Sequence, residues 1–348
     1  MILKEIIVTD RPTDSYLLCC DWGTSSFRLQ LINTNDLVCL GEIFADTGVA
    51  DTFTAWQTAA TPGTRETFFR AELHRQIDRL ERQLSIDLTG VPLVISGMVS
   101  SSIGLTEVPY ASLPFAVDGS QASVRRLNHR DDFQHDILLI SGVRSEHDVM
   151  RGEETQLIGL MALPHLPVPA TQNIIGIFPG THAKHLYIQN RQLVHFDTFM
   201  TGELFALLLN HSILRDSTHW PGHPPQTDRE LQAFQNGVAQ ARIHTVPLTQ
   251  SLFRVRTNQL FSQYSQVENA LFLSGLLIGA ELGSLLDSTN ELLLLCGGHK
   301  LAPFYQLALD QLGLTARTLS VDADVVNRAA SIGQITLFKR QTIHSSPS

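Results

Sequence analysis

The pattern that most constrains this chain is a group of strands around a Gly-Thr turn, and it occurs twice. Tyr16–Cys20 is an apolar run that ends in Asp21-Trp22-Gly23-Thr24-Ser25-Ser26 and gives way to the alternating Phe27-Arg28-Leu29-Gln30-Leu31-Ile32. Such runs on either side of a small polar turn predict a β-hairpin, and Val38–Phe44 supplies a third antiparallel strand. Far downstream, Asn173–Phe178, the turn Pro179-Gly180-Thr181-His182, Lys184–Ile188 and Leu193–Thr198 repeat the order, with a helix expected from near Gly202. The two copies share almost no sequence beyond the Gly-Thr turns, so the pattern reads as a structural duplication.

The remaining signals fit two α/β halves. From Arg65 to Ile86, apolar side chains at Phe69, Leu73, Ile77, Leu80 and Leu84 recur at helical spacing with charges between them. Pro92–Ser96 and Ile137–Ser141 are short apolar runs, as expected of strands covered on both faces. The stretch from Ser100 to Asp136, with Pro109 and Pro114, reads as loop. The Pro-rich break Pro164-His165-Leu166-Pro167-Val168-Pro169 is the expected linker, which puts the domains at 1–166 and 167–348. The second half closes with a strand at Glu291–Cys296, then Gly297-Gly298-His299-Lys300 opening a helix. A last helix from about Asp324, carrying Ala329, Ala330 and Gly333, is one that could pack back on the first domain. A length of 348 residues suits two domains.

Composition excludes several classes of function. Lys+Arg 25 against Asp+Glu 34 leaves a net charge of −9, with no basic run, so nucleic acid is not an expected partner. At 43% hydrophobic and 17% charged residues, the chain has the apolar material for buried cores. Leu271–Leu286 is the richest apolar segment, but Ser274, Gly275, Gly279 and Glu281 break it short of the roughly 20 residues a membrane span needs, so it reads as a buried helix. The opening MILKEIIVTDRPTD has acids and a Pro where a signal peptide needs an apolar stretch, which predicts a cytoplasmic protein. Cys19, Cys20, Cys39 and Cys296 form no CxxC pair and read as buried thiols of a reducing compartment. His182 and His185 lie on a turn and a strand, without the accompanying ligands of a zinc site. Neither GxGxxG nor the P-loop GxxxxGK[ST] is present.

Three turns carry the chemistry. Asp21-Trp22-Gly23-Thr24-Ser25 sets a carboxylate at a strand end before small residues whose amides and hydroxyls can meet phosphate oxygens, and such an Asp can hold Mg²⁺ through water. Phe178-Pro179-Gly180-Thr181 repeats the turn without the acid. Gly297-Gly298 lets a flat ring or sugar lie against backbone. Each has a plainer alternative as an ordinary hairpin or strand-to-helix turn; their order on matched scaffolds is what favours a nucleotide.

With Asp148-Val149-Met150-Arg151-Gly152-Glu153-Glu154-Thr155-Gln156, Pro179-Gly180-Thr181-His182 with Lys184, and Met200-Thr201-Gly202-Glu203-Leu204-Phe205, the chain resembles the 2-dehydro-3-deoxygalactonokinase family of the actin/hexokinase/Hsp70 class from Asp21 to Gly333. The resemblance implies two duplicated ribonuclease-H-like α/β domains around an interdomain cleft, the first handling sugar acid and phosphate, the second the nucleotide. It implies ATP and Mg²⁺ as cofactors and transfer of the γ-phosphoryl to the 6-hydroxyl of 2-dehydro-3-deoxy-D-galactonate. Another sugar or sugar acid as substrate, or a non-catalytic sensor on the same scaffold, stays open, as does a homodimer. Asp21 is then the metal-side carboxylate, with Gly23, Thr24 and Ser25 at the β/γ-phosphates, Gly180, Thr181 and Lys184 on the phosphates from the second domain, and Gly297 and Gly298 at the adenosine. Glu154 is the first choice for the base and Glu153 the second, with Asp197 in reserve, although both glutamates also suit a helix N-terminus. The substrate carboxylate calls for arginine, with Arg28, Arg144 and Arg151 near in sequence. The loop from Gly97 through Ser101, Ser102, Glu107 and Tyr110 resembles the family's substrate-side loop.

Overall fold

A computed structural model describes residues 15–61, 63–164, 172–243, 245–287 and 290–343. The first fourteen residues, on which the signal-peptide argument rests, and the Pro-rich break after Pro164 lie outside them. The described residues form two units, one from residues up to 164 together with 328–343, the other from residues 172–327.

The first unit is built in the order β1 (Tyr16–Trp22), β2 (Phe27–Asn33), β3 (Cys39–Ala45), α1 (Val49–Thr58), α2 (Arg65–Leu84), β4 (Leu93–Gly97), β5 (Ala111–Ser112), β6 (Phe115–Ala116), β7 (Val124–Leu127), β8 (Ile137–Ile140), β9 (Val143–Arg144), β10 (Val149–Met150) and α3 (Glu153–Ala162). Its main sheet runs β3-β2-β1-β4-β8-β7. β1, β2 and β3 are antiparallel neighbours, whereas β4 and β8 join parallel to β1. The β1–β2 register, Asp21 opposite Arg28 and Trp22 opposite Phe27, leaves the residues from Gly23 to Ser26 as the hairpin turn. Trp22 packs on Phe27 and Phe69 with ring centroids 5.1 and 5.3 Å away, so the chain on both sides of the turn is anchored in the core. α2 buries Phe69, Leu73, Ile77 and Leu80, as the spacing predicts; the Thr64 hydroxyl caps its start, and Ser85 in the left-handed region ends it two residues before the expected Ile86. The stretch read as loop between Ser100 and Asp136 holds β5, β6 and β7. Strands of two to four residues are too short for alternation to show in a sequence.

The second unit follows the same plan: β11 (Ile174–Phe178), β12 (Ala183–Gln189), β13 (Gln192–Phe199), α4 (Thr201–His211), α5 (Asp228–Ala241), α6 (Leu248–Leu260), α7 (Gln266–Leu282), β14 (Leu292–Leu295), α8 (Ala302–Gln311) and β15 (Thr318–Ser320). Its strands run β13-β12-β11-β14-β15, antiparallel through the first three and parallel through the last three. That order and those directions match β3-β2-β1-β4-β8. The duplicated ribonuclease-H-like plan is therefore present in both units. α7 is the buried helix expected over Leu271–Leu286, shifted toward its N-terminus. The breaks in its apolar run have reasons: a Cβ on Gly275 would come within 2.1 Å of the Phe234 carbonyl and one on Gly279 within 2.8 Å of Val238 Cα, so these glycines let α5 lie directly against α7. Among the described residues no helix is long and apolar enough to cross a membrane.

α9 (Ala323–Ile343) starts among residues of the second unit and from Arg328 belongs to the first. It crosses α3 at backbone contact, because Cβ atoms on Gly159 and Gly333 would fall 1.8 Å from the Ala329 carbonyl and 2.0 Å from the Thr155 carbonyl. Cys19, Cys20 and Cys296 are buried free thiols. Cys39 departs from that expectation and is exposed, since β3 is the edge strand of its sheet.

Candidate active site

In the first unit, the C-terminal ends of β1 and β4 and the start of α3 bring three acids together. Asp21 stands at the end of β1. Beside it, Gly97 has φ +93°, and a Cβ there would lie 2.6 Å from the Trp22 carbonyl and 3.3 Å from Asp21 Oδ1; Gly152, with φ +112°, turns the chain into α3 close to Gly97. Only glycine fits these two positions, and together they set Glu153 within electrostatic range of Asp21. Burial pushes the Asp21 carboxyl up to about 6, and the charge of Glu153 adds to the rise against the pull of Arg28. Glu154 is a different kind of acid. It is 1% exposed, its Oε2 accepts from the Gly152 N–H at 2.8 Å, and its Oε1 accepts from the Thr155 hydroxyl at 2.7 Å. Burial raises it to about 7, with the Thr155 hydroxyl pulling down and Glu153 pushing up. Both of its oxygens are engaged in its own turn, an arrangement that suits a helix-start brace more than the base expected there. Behind the strands, Gln334 of α9 donates to the Cys20 carbonyl at 2.7 Å and to Ser96 Oγ at 2.8 Å, fixing β1 and β4 one residue before Asp21 and Gly97.

The turn after Asp21 is held from outside. Thr24 and Ser25 are exposed, and the first turn of α1 donates from Val49 to the Gly23 carbonyl at 3.0 Å and from Ala50 to the Thr24 carbonyl at 3.1 Å. A Cβ on Gly48 would sit 2.0 Å from the Thr24 carbonyl, so that position requires glycine. Arg28 gives Nε and Nη2 to Glu42 Oε2 at 3.2 and 2.9 Å and lies over the Phe44 ring.

Arg151 is placed under the loop expected to face the substrate. Its Nη1 donates to the Ser100 carbonyl and Oγ, both at 2.7 Å, and to Ser141 Oγ at 3.2 Å, while the guanidinium lies 4.0 Å from the centre of the Tyr110 ring. Arg151 thus ties the loop to the end of β8 and contacts Tyr110 directly. Ser101 is buried with no hydrogen-bond partner for its hydroxyl, whereas Ser102 and Glu107 are exposed, the Ser102 carbonyl accepting from Arg65 at 2.5 Å. Arg144 is exposed on β9.

The second unit repeats the braced turn. Glu203 N–H donates to the Thr181 carbonyl at 3.0 Å, and a Cβ on Gly202 would lie 2.5 Å from the Gly180 carbonyl. Gly48 and Gly202 thus do the same work in the two copies. Nothing in the fold requires glycine at Gly180, where a Cβ would meet only the His182 carbonyl at 3.9 Å, or at Gly298, where the nearest atom is Asn327 Oδ1 at 3.7 Å. Gly297, by contrast, packs on Ala302. α8 begins at Ala302, later than the expected opening at Gly297–Lys300, with the Gly298 carbonyl accepting from Leu301 and Ala302. Lys184 is buried on β12. Asp197 is bonded to His195 at 3.0 Å and raises the Tyr187 phenol, already lifted by burial, to about 12. No cluster of three or more metal-binding side chains occurs among the described residues.

A model of the 2-keto-3-deoxy-galactonokinase family matches residues 21–332. The chain belongs to this family. It is a sugar-acid kinase that uses ATP. Among relatives, a probable 2-dehydro-3-deoxygalactonokinase of Rhizobium meliloti strain 1021 is 32% identical over 91% of this chain and 95% of its own length. The 2-dehydro-3-deoxygalactonokinase of Escherichia coli K12 is 35% identical over 66% and 74%. A crystal structure of a Sinorhizobium meliloti protein assigned as a 2-dehydro-3-deoxygalactonokinase superposes with TM-score 0.74 at 29% identity, covering 96% of this chain and 98% of that one. Gly180 and Gly298 have open space where a side chain would stand, which leaves room for a ligand to approach the backbone there. Sequence reasoning gave no role to Gly48, Gly152, Gly202 or Gln334, although Gly152 and Gly202 lie in the motifs quoted above. The signal available for two of them was position, because Gly48 and Gly202 each open the helix after the third strand of a copy.

Proposed function

We propose that this kinase phosphorylates the 6-hydroxyl of 2-dehydro-3-deoxy-D-galactonate with Glu153 as the base and Asp21 as the carboxylate that holds Mg²⁺ through water. The observation that carries these roles is the Asp21–Glu153 pairing. The charge of Glu153 raises the proton affinity of Asp21, and a cation beside such a pair relieves it and lets the two part company in role, one ionised at the metal, one exchanging a proton. Mg²⁺, when bound, neutralises charge on the β- and γ-phosphate oxygens. Glu153 accepts the proton of the attacking hydroxyl. Glu154, with both oxygens taken, braces the helix start through Gly152 and Thr155. Gly23, Thr24 and Ser25 offer amides and hydroxyls to the transferred phosphate, and Gly180 and Thr181 do so to the remaining phosphates, with Lys184 as the second unit's cation. The open face at Gly298, with Gly297 behind it, takes the adenosine. The first unit is then the sugar-acid and phosphate domain and the second the nucleotide domain. Ser101, Tyr110 and Arg151 shape the sugar-acid end, with Arg28 beside Asp21. Free thiols, three of them buried, and a need for ATP support a cytoplasmic site of action.

Replacing each glutamate separately tests the roles. Glu153→Gln is expected to lower kcat by about 10²- to 10³-fold with little change in either KM, and Glu154→Gln by less than about tenfold. The reverse ranking would return the base to Glu154.

A further inference from the structure

A polar cluster lies inside the second unit, made of residues given no role above. Glu281 of α7 has a side chain 1% exposed. Its Oε2 accepts from the Thr201 hydroxyl at 2.5 Å and from the Tyr305 hydroxyl at 2.7 Å, and its Oε1 lies 3.2 Å from Nε2 of His185, a fully buried ring whose Nδ1 has no hydrogen-bond partner. A buried carboxylate in the last turn of an apolar helix is expensive, and replacing such a group by packed hydrocarbon is often neutral or better for stability. Packing does not account for it. What it touches does. Thr201 is the first residue of α4, a helix with no side-chain cap of its own. The next two residues grip the Gly-Thr turn: Gly202 is in backbone contact with Gly180 and Thr181, Glu203 N–H bonds to the Thr181 carbonyl, and the Glu203 carboxylate meets His182 Nε2 at 2.5 Å. Three elements, β12, α7 and α8, therefore converge through one carboxylate on the residue that sets where this turn stands.

We propose that Glu281 is a positioning residue for nucleotide binding, fixing the start of α4 through Thr201 and Tyr305 so that Gly180 and Thr181 present a preset surface to the phosphates. This rests on the reading of that turn as phosphate-binding. Preset donors bind better because no ordering is left to do at the moment of binding. The effect is confined to the nucleotide side, which separates it from a general loss of structure.

The experiment measures the Kd of ATP with Mg²⁺ by calorimetry and both KM values for Thr201→Val, Thr201→Ser, Tyr305→Phe and Gly180→Ala, with a melting curve for each. Thr201→Val and Tyr305→Phe each remove one donor to Glu281 and are expected to raise the Kd and KM for ATP by about five- to tenfold while the KM for the sugar acid stays within twofold. Thr201→Ser, which keeps the hydroxyl, restores wild-type values. An unchanged ATP Kd in both donor-deleted variants, whatever their melting temperature, overturns the proposal. Gly180→Ala reports on the reading beneath it: the fold has room for the methyl, so weaker ATP binding in this variant shows that the turn meets the nucleotide. If Gly180→Ala weakens binding and the donor deletions do not, Glu281's role alone fails; if none of them weakens it, the turn's role fails as well.

Discussion

Replacing Asp21 by Asn should make the ligand-free kinase more stable at alkaline pH while disabling it. The carboxyl stands at about 6 in the folded chain, against about 4 in an unfolded one. Folding therefore raises its proton affinity about a hundredfold, and ionising it in the native state costs the fold up to about 3 kcal/mol relative to the unfolded chain. Asp21 keeps partial access to water, so about half of that, 1–2 kcal/mol, is the realistic figure. The sign follows from the raised pKa. The favourable protonated form is fully present below about pH 4, and its contribution is lost as pH rises through about 6. Asn stays neutral throughout, so the variant should match the wild type near pH 3.5 and exceed it by 1–2 kcal/mol at pH 8. Urea unfolding at the two pH values, with unchanged m, measures the difference directly. A variant equally or less stable than wild type at pH 8 would refute the picture of a strained, partly buried carboxylate. In the assay the same variant should lose at least about 10²-fold in kcat, because the metal-side charge is gone.

Two further outcomes follow from the geometry. Arg151→Met keeps an unbranched apolar stem but removes the donors to Ser100 and Ser141 and the cation over Tyr110, so the KM for the sugar acid should rise at least about tenfold with the KM for ATP unchanged; steady-state kinetics varying each substrate in turn would show it. Mg²⁺ and ATP binding at pH 6 should release a fraction of a proton, because a cation draws the half-protonated Asp21 to its ionised form, and the release should vanish at pH 8. Calorimetry in buffers of different ionisation enthalpy reads that proton, and a heat independent of buffer at pH 6 would count against Asp21 as the metal-side acid.

The scaffold was legible in the sequence wherever its signal was local. The hairpin at Asp21–Ser26, the helical spacing of Phe69 to Leu80 and the apolar strand before Gly297 all read correctly because turn chemistry and periodicity act over a few residues. What failed to show was whatever depends on a distant partner. Glu153 and Glu154 are adjacent on a helix start, and nothing in the string says that Glu154 takes the Gly152 N–H and the Thr155 hydroxyl while the charge of Glu153 acts on Asp21. The bonds by which Arg151 holds the loop were hidden because its partners, Ser100 and Ser141, lie 51 and 10 residues away. Gly48, Gly202 and Gln334 hold the site through contacts with strands or turns from other parts of the chain. Glu281 was visible only as an interruption in an apolar run, which excluded a membrane span but hid its bond to Thr201.

The central claim is that the two braced turns and the Asp21–Glu153 pair serve phosphoryl transfer to one sugar-acid hydroxyl. Incubating the kinase with ATP, Mg²⁺ and 2-dehydro-3-deoxy-D-galactonate, beside related sugar acids and neutral sugars, and locating the new phosphate by ³¹P–¹³C NMR tests it most directly. The account predicts ADP release in step with a phosphate ester at carbon 6, lost in Glu153→Gln. Binding of ATP and the sugar acid without turnover, or phosphate on another hydroxyl, would contradict it.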